Sequence, residues 1–384
     1  MPFEVPSSWV WCKLHDIIQI TNGRSQKYVE NVNGKYPIYG SGGIIGKAVD
    51  YLCEAGSTII GRKGTINNPL FVKERFWNID TAFGMKPMYA ISDLYFFYFC
   101  QNFDFSKLDK STAVPSLTQS AIGEVFIPIP PIKEQKRITD EISYWLGFID
   151  TLESNLINLQ LAIKQTKSKI LDLAIHGKLV PQYPTDEPAS ELLKRINPKA
   201  EITCDNGHYQ KFPEGWCETQ LGDIFNHNTG KALNSSNTEG TLKDYLTTSN
   251  VYWNSFDFSV VKKMPFKESE INKCQITKGD LLVCEGGDIG RAAIWDYDYD
   301  ICIQNHLHRL RPKVNGICVS FYYYVLYYLK INNMIGGKGI GLLGLSSKAL
   351  HKLHVPFPPL NEQHRIVSKI EEIFAQLDEI EASL

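Results

Sequence analysis

The sequence predicts an α/β fold built as an internal repeat: two structurally similar heads joined by two long antiparallel coiled-coil helices about a pseudo-two-fold axis. Three observations predict it. Residues Ile127 to Asp150 (IPIPPIKEQKRITDEISYWLGFID) return as Val355 to Asp378 (VPFPPLNEQHRIVSKIEEIFAQLD), 228 residues on (355 minus 127) and without a gap. An opening frame of Pro6, Trp9, Leu14, Asp16, Ile17 and Gly23 returns as Pro213, Trp216, Leu221, Asp223, Ile224 and Gly230 at an offset of 207. Self-similarity at so long a period marks two copies of one unit. The third observation is the apolar spacing that follows each repeated segment, which steps by four and three as a coiled-coil seam does.

The first head covers residues 1–131. Ser57 to Ile60 reads as a short buried strand and Leu94 to Asn102 as an aromatic-rich helix. The first stem, 132–177, starts after Pro130-Pro131, which set a helix start. Its seam is Ile138, Ile142, Trp145, Ile149, Leu152, Leu156, Leu159, Ile163, Thr166, Ile170 and Leu173, and Gly177 closes it as a C-cap. Roughly 45 residues at 1.5 Å each give a rod of about 65–70 Å. A lone helix of this pattern is not stable in water, so the seam must be covered, most economically by the second stem. Residues 178–211 form a linker with prolines at 181, 184, 188 and 198 around one short helix, Ala189 to Ile196. The second head, 212–358, carries strands at Leu281 to Cys284 and Ile301 to Ile303 and a helix at Phe321 to Leu329. The second stem, 359–384, continues the seam at Ile366, Ile370, Ile373, Leu377, Ile380 and Leu384. It is about half as long as the first, so either the chain is a trimmed form or something else covers the rest.

The two heads diverge from each other while their frames repeat. Gly56 to Ile60 corresponds to Gly279 to Val283, and Ser116-Leu117-Thr118 to Gly344-Leu345-Ser346. The offset grows from 207 to 228, so the second head holds about 21 additional residues. Loops rich in Gly and polar groups separate the strands: 21–28, 39–47 and 61–68 in the first head, and 229–237, 247–254, 285–291 and 336–344 in the second. Their side chains are of the types that touch base edges: Arg and Lys suit guanine, Asn and Gln adenine, and a carboxylate the cytosine amine. The candidates in the first head are Arg24, Lys27, Tyr28, Ser41, Arg62, Lys63, Asn67 and Asn68. Those in the second are Lys231, Asn234, Ser249, Asn250, Trp253, Glu285, Arg291 and Lys338. Any one of them taken alone also fits a solvated loop residue, so the expectation concerns the loops as sets.

Charge does not advertise a general grip on nucleic acid. The net charge is −2, and each head is +1 (12 basic against 11 acidic over 1–131; 15 against 14 over 212–355). That disfavours a protein that coats DNA but not one that reads it through a few placed side chains. Nine cysteines without a C-x-x-C or a zinc spacing read as reduced thiols, and no signal or membrane-spanning segment stands out, so a soluble cytoplasmic protein is expected.

Strings that imitate active sites each lack a necessary member. Gly46-Lys47 is followed by Ala48 where a phosphate loop needs Ser or Thr, and Ser41 replaces its leading Gly. Asn68-Pro69-Leu70 lacks the second Pro and the aromatic of an amino-methyltransferase loop. Gly339, Gly341 and Gly344 follow a helix rather than a strand, and His306 and His308 have no third ligand nearby in sequence. No catalytic residues, metal site or resident cofactor are therefore expected.

On the P-P-x-x-E-Q-x-R-I opening of each stem (Pro130 to Ile138, Pro358 to Ile366), the G-K-L-V-P-Q segment (Gly177 to Gln182) and D-E-P-A-S-E-L-L-K-R-I (Asp186 to Ile196), the chain resembles the specificity (S) subunit of a type I restriction-modification system. The resemblance covers essentially the whole length. It implies that the heads are target recognition domains, each reading half of a split double-stranded DNA site, on stems that set the spacer and dock methylation (M) subunits. It further implies two M subunits carrying S-adenosylmethionine, and restriction (R) subunits using ATP and Mg in a complex that methylates adenine and cleaves DNA, with none of that chemistry in this chain. Half-sites about one helical turn apart, roughly 34–36 Å, fit such a pair of readers. Self-association through an exposed helix seam is a further expectation. An S-like scaffold or anti-restriction protein without its own readout, and an atypical methyltransferase or nuclease, are the alternatives.

Overall fold

The repeated frame folds the same way twice. A computed structural model of the chain describes residues 3–111, 114–200, 202, 212–233, 239–335 and 345–384. Two units result, 1–154 and 155–384.

In the first unit β1 (Val10–Lys13) leads through α1 (Leu14–Ile17) to β2 (Ile18–Asn22), β3 (Tyr36–Gly40), β4 (Gly43–Ala48), β5 (Ser57–Gly61), β6 (Leu70–Val72), β7 (Trp77–Asn78) and β8 (Ala82–Pro87). Then come α2 (Asp93–Asn102), α3 (Gln119–Gly123) and β9 (Phe126–Ile129), which pairs back on β1. The sheets run β2-β8-β5-β6 and β4-β3-β7. Strand β5, STIIG, is buried along its whole length, as a β-branched run between two covered faces should be. Leu14, Ile60, Phe83, Phe96, Phe105 and Ile127 form the core around it. Ser92 caps α2 by accepting from Tyr95 N, and the helix turns Tyr95, Phe96 and Cys100 inward.

From the first head springs α4 (Ile132–Ile175), which ends as the sequence predicts: Gly177 is left-handed (φ +65°) and Lys178 N donates to Leu173 O. The linker helix α5 (Ala189–Ile196) lies where its pattern placed it and buries Leu192 and Leu193 in the second unit's core. That unit continues with β10 (Cys217–Gln220), α6 (Leu221–Ile224), β11 (Phe225–Thr229), β12 (Thr241–Leu246), β13 (Val251–Tyr252), β14 (Ser255–Phe256) and β15 (Lys262–Phe266). Next are α7 (Glu268–Cys274), β16 (Gln275–Ile276), β17 (Leu281–Cys284), β18 (Ala292–Ile294), β19 (Ile301–Ile303) and β20 (Leu307–Pro312). Helices α8 (Val319–Ile331) and α9 (Ser347–His351), β21 (His354–Phe357) and α10 (Leu360–Ala382) complete it. Its sheets run β11-β20-β17-β18 and β15-β12-β19-β16.

Register makes the correspondence residue by residue. Val10 opposes Ile129 in the first unit and Cys217 opposes Phe357 in the second. Ile18 opposes Pro87, and Phe225 opposes Pro312. Thr58 opposes Met85, and Leu281 opposes Leu310, so the inner strands are shifted by 223 (281 minus 58) and 225 (310 minus 85). Most of the added residues of the second head collect at one place. Between β3 and β4 stand only Ser41 and Gly42, whereas residues 247–261 stand between β12 and β15.

The repeated glycines of the frame have a steric cause. At Gly23 an added Cβ would meet Ile79 O at 1.7 Å, and at Gly230 it would meet Ile303 O at 2.1 Å. Each lies where the chain leaving β2 or β11 passes under a neighbouring strand end, held by Gly23 N to Ala82 O (3.1 Å) and Gly230 N to Leu307 O (3.2 Å). Only a residue without a side chain allows that approach.

The repeated Gln of the stems also acquires a reason. Gln135 is buried; its Oε1 accepts from Ser92 N (2.8 Å) and its Nε2 donates to Pro130 O (2.9 Å) and Ala90 O (3.2 Å). Gln363, 228 residues on, accepts from Cys318 N (3.3 Å) and donates to Pro358 O (2.9 Å). Each glutamine ties the first turn of its stem to the start of α2 or α8.

The predicted seam is covered in part. Within the second unit α10 runs antiparallel to the end of α4: Lys167 Nζ reaches Asp378 (2.5 Å) and Glu381 (3.0 Å), while Leu171, Ala174 and Ile175 share a core with Ile366, Val367 and Ile370. Ile163 is buried. Trp145, Ile149, Leu152, Leu156 and Leu159 are instead exposed, each by more than a third. This agrees with the length difference read from the sequence: α10 has 23 residues against 44 in α4, so it covers only the end of the seam.

Candidate nucleic-acid interface

In each head the loop after the buried inner strand lies beside the end of the β3–β4 hairpin or its counterpart. In the first, Arg62 follows Gly61 out of β5, and its backbone N donates to Thr81 O at 2.7 Å. An added Cβ at Gly61 would stand 3.1 Å from Ser41 Cβ, so the β3–β4 turn is packed on the 62–69 loop. The Arg62 guanidinium lies over the Phe83 ring (5.9 Å), and its remaining contact is to Asp80 O at 3.5 Å. Lys63 bridges to Ser116 through its backbone, which leaves its side chain exposed. Asn68 is also exposed, whereas Asn67 Oδ1 accepts from Phe105 N (2.8 Å) and so anchors the loop.

Arg24, Lys27 and Tyr28 lie on the segment that flanks β4. Arg24 is held by its backbone, N to Asn78 O (2.9 Å) and O from Trp77 Nε1 (3.0 Å), with its side chain exposed. Lys27 Nζ stands 5.9 Å from the Tyr28 ring, and Tyr28 is 88% exposed. Beside them are two residues that the sequence reading passed over, Ile44 and Ile45, which are 64% and 51% exposed. A register shift opposite Ile38 and Tyr39 makes Ile45 a bulge residue, so consecutive isoleucines both face outward. Such methyl-rich side chains suit the thymine methyl group. The double glycine preceding them was the available signal.

In the second head the matching loop is 285–291. Glu285 N donates to His306 O at 2.9 Å, and its side chain is about a third exposed (34%), 4.0 Å from His308 Nε2. The loop packs against residues 247–253 through Arg291, whose Nη2 donates to Thr248 O (2.6 Å) and whose guanidinium covers the Tyr252 ring (4.7 Å). Ser249 is exposed, its hydroxyl paired with that of Thr247 (2.7 Å). Trp253 is half-buried against Tyr327, ring to ring at 4.8 Å. Asn234 and Lys338 lie outside the described residues.

Two candidates are corrected by their surroundings. Asn250 is buried; its Oδ1 accepts from Thr247 N (2.8 Å) and its Nδ2 donates to Asp257 O and Val260 O (2.9 Å each). A base edge would have to replace bonds that shape the loop. Lys231 sits in the slot of Arg24, its N donating to Ile303 O (3.0 Å) as Arg24 N does to Asn78 O. Its ammonium is committed to Glu270 (2.6 Å) and Pro265 O (2.7 Å), with the side chain 9% exposed.

Behind the second loop three histidines meet. His227 Nε2 and His308 Nδ1 are 3.0 Å apart, His308 Nε2 reaches Leu345 O (2.8 Å), and the His351 ring stacks beside His227. Burial first, and then His308 and His351, depress His227 to about 4. An unfolded histidine titrates near 6.5. Between those values the unfolded chain binds more protons, so the contribution is fully present above about pH 6.5 and drains away as pH falls through 4. The second unit should lose on the order of 2 kcal/mol between pH 6.5 and 5. Urea unfolding of wild type and His227→Gln across that range checks it; parallel pH slopes would refute it.

No group of three or more His, Cys, Asp or Glu among the described residues could hold a metal ion. Burial pushes Cys53 up to about 12 and Cys284 and Cys302 up to about 11, so none supplies a thiolate at neutral pH. No helix of the described residues is long and apolar enough to cross a membrane.

Comparison with known proteins gives one family. Residues 6–161 and 213–384 each match the Type I restriction modification DNA specificity domain. The Type I restriction enzyme EcoBI specificity subunit of Escherichia coli is 24% identical over 98% of this chain and 82% of its own length. The EcoAI specificity subunit of the same species is 25% identical over 70% of this chain, an alignment spanning 57% of that relative. The crystal structure of the HsdS subunit from Thermoanaerobacter tengcongensis has the same fold, at TM-score 0.61 and 16% identity, over 100% of this chain and 93% of that one.

Proposed function

Since the chain belongs to the type I restriction modification DNA specificity family, with that domain in two copies, we propose that it is the sequence-reading, non-catalytic subunit of a cytoplasmic type I restriction-modification complex. Each head acts as a target recognition domain for one half of a bipartite duplex site. The observation that carries this reading is the pairing in each head of the same two loops, on strands in matching register, with unlike side chains. A shared scaffold with different chemistry at its rim suits two half-sites of different sequence. In the first head Arg24, Lys27, Tyr28, Ser41, Arg62, Lys63, Asn67 and Asn68 are the reading candidates; in the second, Ser249, Trp253, Glu285, Arg291 and the stretches around Asn234 and Lys338.

The exposed apolar stretch of α4 supports a protein contact there, and methylation subunits are the proposed occupants. S-adenosylmethionine, ATP and Mg then belong to partner subunits, with restriction subunits joined through the complex. Selection of bound duplexes from a random pool tests the reading: two short conserved blocks at fixed separation are expected, and a pool returning no sequence would reject it. Adding seven residues to both stems should lengthen the separation by about 10 Å, roughly three base pairs, with the blocks unchanged. Unaltered separation would remove the spacer role.

A further inference from the structure

We propose that Arg62 in the first head and Glu285 in the second occupy one and the same specificity-determining position, filled with opposite charge, and that Phe83 and His308 are their matched positioning partners. The inference deepens the DNA-reading function proposed above and rests on it. Four observations coincide. Arg62 follows the last residue of β5, where Gly61 opposes Ala82, and Glu285 follows the last residue of β17, where Cys284 opposes Leu307. The backbone anchor is the same in both: Arg62 N donates to Thr81 O at 2.7 Å, and Glu285 N donates to His306 O at 2.9 Å. The neighbour is the same as well, for Ile60 opposes Phe83 and Val283 opposes His308. Finally, each charged group lies against that neighbour, Arg62 over the Phe83 ring at 5.9 Å and Glu285 beside His308 at 4.0 Å.

The neighbours suit their partners. A flat apolar ring supports a guanidinium without consuming its donors, and Arg62 spends only one, on Asp80 O at 3.5 Å. His308 is buried and bonded on both ring nitrogens, to His227 and to Leu345 O. It therefore flanks the carboxylate of Glu285 without satisfying it, and among the described residues that carboxylate makes no hydrogen bond. Arg62 keeps donors and Glu285 keeps acceptors at one backbone position. Donors of this kind address guanine O6 and N7; a carboxylate addresses the cytosine N4 amine. The two half-sites should accordingly differ at the corresponding base, guanine under the first head and cytosine under the second.

The test is selection from a random duplex pool by the full chain, wild type and four variants: Arg62→Glu, Arg62→Lys, Glu285→Arg and the double exchange Glu285→Arg with His308→Phe. Arg62→Glu should abolish guanine preference at one position of one half-site, a discrimination loss of about 5- to 150-fold. Arg62→Lys should retain it, since an ammonium also reaches guanine. Glu285→Arg should replace cytosine preference in the other half-site alone. The double exchange Glu285→Arg with His308→Phe should install guanine there; because His308 is buried, the single variants carry the test if that protein does not fold. Wild type that selects a bipartite site while the single variants leave every base preference unchanged overturns this inference and spares the reading function. A uniform loss of affinity without a change of preference also overturns it, marking a phosphate contact. Wild type that selects nothing overturns both.

Discussion

Gly230→Ala is expected to destabilise the second unit by about 3 kcal/mol or more, and Gly23→Ala the first by at least as much. The added carbon at 230 would sit 2.1 Å from Ile303 O and 2.4 Å from Gln304 O; at 23 it would sit 1.7 Å from Ile79 O. None of these carbonyls belongs to a side chain that can swing away. Each lies at a strand end bonded on both sides, Lys231 N to Ile303 O (3.0 Å) and Gln304 N to Leu246 O (2.9 Å) in the second unit, and Arg24 N to Asn78 O and Ile79 N to Tyr39 O (2.9 Å each) in the first. Relief requires moving the exit of β2 or β11, and with it the segment that carries Arg24 or Lys231. Chemical denaturation followed by the tryptophans of each unit checks the stability, and the pool selection checks that only one block weakens in each variant. A Gly230→Ala protein as stable as wild type would show that the strand ends part at little cost.

Gln135→Leu and Gln363→Leu should each cost about 2–4 kcal/mol. The leucines fill similar space but orphan backbone groups: half-buried Ser92 N and buried Pro130 O in one case, with Ala90 O left to solvent, and buried Cys318 N and Pro358 O in the other. Gln135→Glu should be worse than leucine, because a carboxylate would face two carbonyls with no proton to give. Hydrogen exchange should then show faster opening at the start of α2 and of α4 together. A Gln135→Leu chain with unchanged protection at Ser92 would mean that water replaces the glutamine.

Much of the fold was legible because the repeat supplied its own comparison. Gly23 and Gly230, Gln135 and Gln363, and the strands Ser57–Gly61 and Leu281–Cys284 recur since backbone geometry demands them. The C-cap at Gly177 and helix α5 were readable from local chemistry alone. The interface was less legible, for reasons of context. Asn250 and Lys231 look like surface residues in a polar string, and only the fold shows the carbonyls and the Glu270 carboxylate that absorb them. Ile44 and Ile45 resemble core residues until the bulge turns them outward. The Arg62–Glu285 correspondence was hidden because the offset drifts from 207 through 223 and 225 to 228, and the aligned residues share no chemistry. Seam periodicity showed that α4 needs a cover but not what supplies it, since a heptad pattern is indifferent to the length of its partner.

The bare stretch of α4 has a consequence for the life of the chain in a cell. A surface carrying Trp145, Ile149, Leu152, Leu156 and Leu159 in water invites aggregation. On the docking proposed above, an unassembled copy is exposed to chaperones and proteases, whereas an assembled one is sheltered. Abundance of the chain would then be tied to the supply of those partners, and overproduction of the chain alone should raise its turnover.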